Sequence, residues 1–307
     1  MSEASSGGSS GQGHQPVLSQ SVADLLPVQP DSVVLDATVG LGGHSLLFSK
    51  SLGEAGLLIG LDVDSANLSV ARQRLSDAAC RVSLHRSNFC DMDSVLSAEG
   101  VGGADVILAD LGVSSTQLDE ADRGFSFQSD GPLDMRMDSR LAKSAEDLVN
   151  ELRERELADL FYEYGQERMS RRIAKHICRS RKTGRIKTTG TLSRVICESL
   201  GVNPNSRASR IHPATRVFQA LRIVVNDELG VLGVLLEKGP GCLSEGGRIG
   251  VISFHSLEDR MVKLDFRERA KAGVYRLITK KPVVAGEAER RANRRSRSAK
   301  LRVAEKL

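Results

Sequence analysis

The chain lacks several things that would have fixed its class at once. No apolar stretch approaches the ~18 residues of a membrane span, so no membrane partner is expected. The five cysteines, Cys80, Cys90, Cys178, Cys197 and Cys242, include no C-x-x-C pair. An odd, unpatterned set points to a reducing, cytoplasmic compartment and away from a zinc site, so no metal is expected. Met1 to Gly13 is rich in Ser and Gly, with neither a basic n-region nor an apolar core. No signal peptide is expected there, and residues 1–13 read as a disordered tail. There is no internal repeat. The net charge of +4 is too small for the whole-chain balance to announce nucleic acid. What remains is an ordinary soluble composition, 40% hydrophobic and 27% charged over 307 residues, enough for about two domains.

The most informative segment runs from Val33 to His44. The apolar run Val33-Val34-Leu35 ends in Asp36, and Gly40-Leu41-Gly42-Gly43 follows. A helix-like stretch, Ser45 to Leu52, leads to a second apolar run, Leu57 to Leu61, that ends in Asp62. Strand, glycine turn, helix, strand and acid form an adenosine-cofactor grip. The glycines admit the ligand to the backbone, and the acid, about 20 residues on, receives the ribose hydroxyls. Two cofactors compete for it. NAD requires G-x-G-x-x-G to bare a helix N-terminus for pyrophosphate, and Ser45 stands where the third glycine belongs. S-adenosylmethionine (AdoMet) has no phosphate to place, and an acid such as Asp36 suits its sulfonium and ammonium. AdoMet is favoured; NAD and a ligand-free tight turn stay open.

Helical spacing continues over Ser65 to Ala79, a short strand is expected at Arg81 to His85, and Ala104 to Asp110 reads as a fourth buried strand ending in an acid. Alternating βα units predict an α/β fold with a mostly parallel sheet. A glycine turn at Gly246-Gly247 then feeds a strand to Phe254, and Val274 to Thr279 with Ala299 to Val303 would form a closing hairpin. Between these parts the strand pattern disappears. Ser144 to Glu156, Gln166 to Arg181 and Thr191 to Leu200 read as helices, so the chain divides into 14–117, an inserted helical subdomain at 118–215, and 216–307. Such an insertion shapes a substrate pocket or merely caps the sheet.

A second set of motifs is longer. It comprises Asp110-Leu111-Gly112-Val113-Ser114-Ser115-Thr116-Gln117, Arg123-Gly124-Phe125-Ser126-Phe127, Pro132-Leu133-Asp134-Met135-Arg136, the run His212 to Arg222, the run Ser253 to Arg260, and Arg295 to Arg302. With His14-Gln15-Pro16-Val17-Leu18 and the glycine turn, these closely resemble the RsmH (MraW) family of bacterial methyltransferases, in family order from His14 to Lys306. Arg294 and Gln166 depart from the usual residues, away from the cofactor motifs.

The resemblance implies a class I AdoMet-dependent methyltransferase, Rossmann-like, with an inserted substrate-recognition domain. It implies methylation of the exocyclic N4 of one cytosine, position 1402 of 16S rRNA, in the small (30S) ribosomal subunit. Carried over position by position, it places AdoMet against Gly42, Gly43, His44, Asp62, Phe89, Asp110 and Gln117. Each has its own chemistry. Asp62 is placed for the ribose hydroxyls. Phe89 lies against the adenine face or in the core. His44 opens a helix and serves as a local hydrogen-bonding group near the methionine end. Gln117 offers a donor and an acceptor.

The cytosine N4 lone pair is delocalised into the ring, so catalysis needs acceptors for the N–H groups and in-line placement of nitrogen, methyl and sulfur. Asp110 is the leading catalytic acceptor. His255, just past a strand, is the second candidate, with a structural role as the alternative. Asp110-Leu111-Gly112-Val113 is not the Asp/Asn-Pro-Pro-aromatic motif of many amino methyltransferases. Phe125 and Phe127 supply a surface for an extruded base or are buried beneath the insertion.

Basic residues crowd two places. Arg168, Arg171, Arg172, Lys175, Arg179, Arg181, Lys182, Arg185 and Lys187 lie in the insertion, and Arg290, Arg291, Arg294, Arg295, Arg297, Lys300 and Arg302 lie near residue 300. Both suit a phosphate backbone. The rivals are an NAD-dependent oxidoreductase, against which Ser45 argues, and a non-enzymatic RNA-binding assembly factor. The latter would have no need of Asp36, the glycine turn, Asp62 and Asp110 together.

Overall fold

A computed structural model of the chain describes residues 16–203 and 212–307. The expected Ser/Gly tail, with His14 and Gln15, lies outside them. The strands are β1 (Val33–Asp36), β2 (Leu57–Asp62), β3 (Arg81–Arg86), β4 (Ala104–Asp110), β5 (Leu243–Ser253), β6 (Tyr275–Leu277), β7 (Val283–Val284) and β8 (Lys300–Lys306). Their order is β3-β2-β1-β4-β5-β8-β6, with β7 also on β8. The first five run parallel; β8 is antiparallel to β5, β6 and β7. This is the expected Rossmann-like sheet, with β8 inside it between β5 and β6.

Alternate residues of each strand face opposite sides. Leu35, Ile59, Ile107, Ile249 and Val251 pack under helices Met92–Ala98, Glu228–Cys242 and Ser256–Lys271. Val34, Leu58, Val106, Leu108, Ile252 and Leu301 pack under Ser19–Leu25 and Gly43–Ser49. Burying each such side chain is worth roughly 1.5–3 kcal/mol. A separate core unites Leu133, Val149, Leu157, Phe161, Ile173 and Ile196. Helix Ala214–Val225 also buries Val217, Phe218 and Leu221 there, beyond the expected end of the insertion at 215.

Several elements differ from expectation. The helix expected over Ser144 to Glu156 is two, Ala145–Glu151 and Glu154–Glu163. Leu152 is extended, and Glu156 accepts from the Arg153 N–H at 2.7 Å to start the second. Helix Ser65–Arg74 stops short of Ala79, just before the Ser76 hydroxyl donates to Asp77. Gly246-Gly247 is no turn before a strand but lies within β5, where the register with β4 shifts. Gly246 has φ 75°, and a Cβ on Gly247 would sit 2.8 Å from the Ser244 carbonyl oxygen.

Candidate active site

The parallel strands bring their acid-bearing ends together. Asp36 is level with Leu108 of β4, and Asp110 with Ile252 of β5. The strand order reverses between β1 and β4, which is where ligands bind in open α/β sheets. A cavity of about 550 Å³ opens there, lined by Gly40, Gly43, His44, Asp62, Phe89, Asp110 and Gln117 among others. All the expected site residues except Gly42 line it, His255 included.

Gly42 lies behind the wall. It has φ 80°, and a Cβ there would sit 3.3 Å from the Ala71 Cα, so it lets the turn approach helix Ser65–Arg74. Asp36 does not line the cavity either, contrary to the expectation that it meets the sulfonium. It is buried, accepting from the Ser45 hydroxyl at 2.6 Å and the Thr38 N–H at 3.2 Å. Ser45 therefore spends its hydroxyl on the framework.

Asp62 accepts from the N–H groups of Gly40 (3.0 Å) and Asp64 (2.7 Å) and from the Asn67 amide (3.1 Å). Burial outweighs these bonds and pushes its carboxyl up to about 6. Phe89 is half-buried: it packs against the first core and also lines the cavity, so both of its readings meet in one residue. Gln117 is buried and largely committed. It takes the Ser114 N–H at 3.0 Å in a capping box and donates to Asp64 at 3.2 Å.

Asp110 is anchored by its own N–H, which donates to the Thr38 hydroxyl at 2.6 Å. One carboxylate oxygen lies 3.4 Å from the His44 Nε2, and its side chain is 24% exposed. Its Oδ1 and both ring nitrogens of buried His44 have no hydrogen-bond partner among the described residues. Buried polar atoms of this kind are rare unless a ligand uses them.

His255 caps helix Ser256–Lys271, and its Nε2 lies between carboxylates, 3.2 Å from Glu258 and 3.9 Å from Glu228. Burial disfavours its charge, but Glu228 and Glu258 outweigh that and hold its pKa above the ordinary histidine value. The three residues cluster closely enough to suggest a metal. Arg222, however, engages both Glu228 oxygens, at 2.7 and 3.0 Å, while one Glu258 oxygen takes the N–H groups of Phe254 and His255. Both carboxylates find their partners within the protein, and the donor set fits an ion-pair network. Thr38 and Arg222 lie inside runs noted from sequence but have no role assigned there, and Glu228 lies outside them; Arg222 and Glu228 sit on helices that only the fold brings to this cavity.

Phe125 is buried, and Phe127 stacks on His212 with ring centroids 4.5 Å apart. Both line the cavity on the insertion side. The basic clusters divide. Arg181 donates to the Val149 carbonyl, Arg185 pairs with Glu146 and Asp147, and Lys300 and Arg302 hold Asp259. Arg171, Arg172, Lys175, Arg179, Lys182 and Lys187 are exposed, as are Arg290, Arg294 and Arg297.

The sheet order, the glycine turn and the cavity at the strand ends define a class I methyltransferase fold. The model of the MraW methylase family matches residues 11–307, and the chain belongs to that family. It is 48% identical over 300 residues to a protein of Acidobacterium capsulatum named ribosomal RNA small subunit methyltransferase H, covering 95% of this chain and 98% of that one. It is 50% identical to the protein of that name from Koribacter versatilis, covering 95% and 93%, and 49% identical to that of Geobacter sulfurreducens, covering 96% and 99%. The cofactor is AdoMet. The cavity suits it: an acid near the glycine turn for a ribose, an aromatic face for adenine, and unpartnered polar atoms at His44 and Asp110. Among the described residues, no helix is long and apolar enough to cross a membrane.

Proposed function

We propose that the chain transfers the AdoMet methyl group to the exocyclic N4 of cytosine 1402 in 16S rRNA, acting on the small ribosomal subunit in the cytoplasm. The names of its relatives support the substrate class. The observation that carries the chemistry is Asp110, a strand-end carboxylate with one unpartnered oxygen in the cavity. AdoMet, when bound, supplies an electrophilic methyl group. Asp62 holds the ribose, Phe89 covers the adenine, and Gly43 and His44 meet the methionine end. Gly42 shapes the turn and Gln117 orders the loop after β4. Asp110 accepts an N4–H bond, turns electron density onto nitrogen, and takes the proton released on attack. His255 acts from within its ion-pair cluster. Residues 118–215 with helix Ala214–Val225 form the substrate-recognition side, where Phe125 and Phe127 shape the base pocket and the exposed arginines and lysines meet phosphates.

The test is methyl incorporation from labelled AdoMet into small subunits from cells lacking this gene, with the product nucleoside identified by mass spectrometry. N4-methylcytidine is expected. Methylation at another atom would overturn the reading of Asp110.

A further inference from the structure

One charged side chain on the cavity wall has no part in the reaction described above. Arg222 uses Nε and Nη2 on Glu228. Its Nη1 has no hydrogen-bond partner among the described residues. The side chain lines the cavity and is 18% exposed.

Behind it the charges alternate. Glu228 follows Arg222, His255 follows Glu228, and Glu258 closes the series. Burial opposes the ionised form of Glu228, but Arg222 and His255 prevail and hold its carboxyl below the ordinary value. Arg222 faces Glu228, with Glu258 beyond it. An N–H on a guanidinium whose charge is already matched by a carboxylate keeps its direction but has little pull on an anion. It matches an uncharged carbonyl oxygen better than a phosphate. Arg222 lines the same cavity as Asp110, from a helix that packs in the second core.

We infer that Arg222 is a specificity-determining residue whose free guanidinium N–H donates to the ring carbonyl oxygen of the methyl-accepting pyrimidine. Glu228, His255 and Glu258 are its positioning residues. The inference rests on the cytosine-N4 reading. With Asp110 taking the exocyclic N–H and Arg222 giving to the carbonyl, the site reads a donor and an acceptor on one base.

The test compares wild type with R222M/E228Q and with R222K. The double variant removes both charges, because a lone buried charge would itself be destabilising. R222K keeps the cation and withdraws the planar fork. Methyl transfer to small subunits is measured across a salt series, with AdoMet binding measured in parallel. In both variants kcat/KM is expected to fall about 10–100-fold, the cost of leaving the base carbonyl unsatisfied in the site, with AdoMet affinity unchanged. The salt slope of KM is expected to match wild type. A slope reduced by about one would assign the contact to a phosphate and overturn the carbonyl reading. Unchanged kcat/KM would remove Arg222 from substrate recognition. Loss of AdoMet binding in both variants would make the cluster a support of the fold. If wild type itself makes no N4-methylcytidine, the functional proposal has failed, and that is visible before any variant is assayed.

Discussion

Lowering the pH from 7.5 to 5 is expected to weaken AdoMet binding through one carboxylate. Burial lifts Asp62 to about 6, so in the free protein it holds a proton below that pH. Ribose hydroxyls donate to the ionised form. Affinity is therefore near full about one unit above pH 6 and falls as the pH drops through it. At pH 5 about one carboxylate in eleven is ionised, which costs about tenfold in affinity, or ~1.4 kcal/mol. The same shift acts on folding with the opposite sense. Asp62 contributes stability below its unfolded value of 3.8, and that contribution is lost as the pH rises through about 6. The site thus carries a neutral-pH strain that binding relieves. Asp62→Asn removes the charge, and with it roughly 1.5–3 kcal/mol of charge-assisted hydrogen bonding, or about 10–100-fold in affinity. It should also flatten the pH profile. Calorimetric titration of AdoMet into both proteins from pH 5 to 8 decides the matter. A wild-type affinity that does not move, or a variant that binds as well as wild type, would refute the assignment of Asp62 to the ribose.

Four further outcomes are expected. Asp110→Ala abolishes methyl transfer while AdoMet affinity is lowered but measurable by titration; unimpaired turnover would remove Asp110 from the chemistry. Gly42→Ala forces φ 80° on a side chain 3.3 Å from the Ala71 Cα, and should lower stability by about 1–3 kcal/mol in a urea melt. Reversing the exposed Arg171 and Lys175 to Glu should raise KM for small subunits and reduce its salt dependence. Arg185→Ala, which breaks pairs with Glu146 and Asp147, should act on stability and leave that dependence nearly unchanged.

The sheet was legible because its strands announce themselves. β4 spans Ala104–Asp110 as expected, a largely apolar run closed by an acid. The glycine turn was legible for the same local reason, and it led directly to Asp62. Helix ends were less so. The break at Leu152 depends on Glu156 reaching back to the Arg153 N–H, a competition that apolar spacing does not register. Asp36 shows the limit for site residues. From sequence it is an acid beside a glycine turn, but Ser45, nine positions on, covers it. The Arg222–Glu228–His255–Glu258 series was invisible in the same way, since a helix of the second core must meet two elements of the sheet before it exists.

Strand β8 follows β5, β6 and β7 in the chain, yet it is the partner all three share. During synthesis the earlier strands therefore emerge before the one that pairs them, and β5 waits with a row of open N–H and C=O groups. Sheet completion is a late event joining distant parts of the chain, which is slow compared with local helix formation. Arg302, on the same strand, then closes on Asp259 at 2.7 Å and ties helix Ser256–Lys271 in place. That helix is capped by His255. The helix that His255 caps at the cavity is thus tied down only when the closing strand arrives, so a nascent chain lacking β8 has its glycine turn before that helix is fixed.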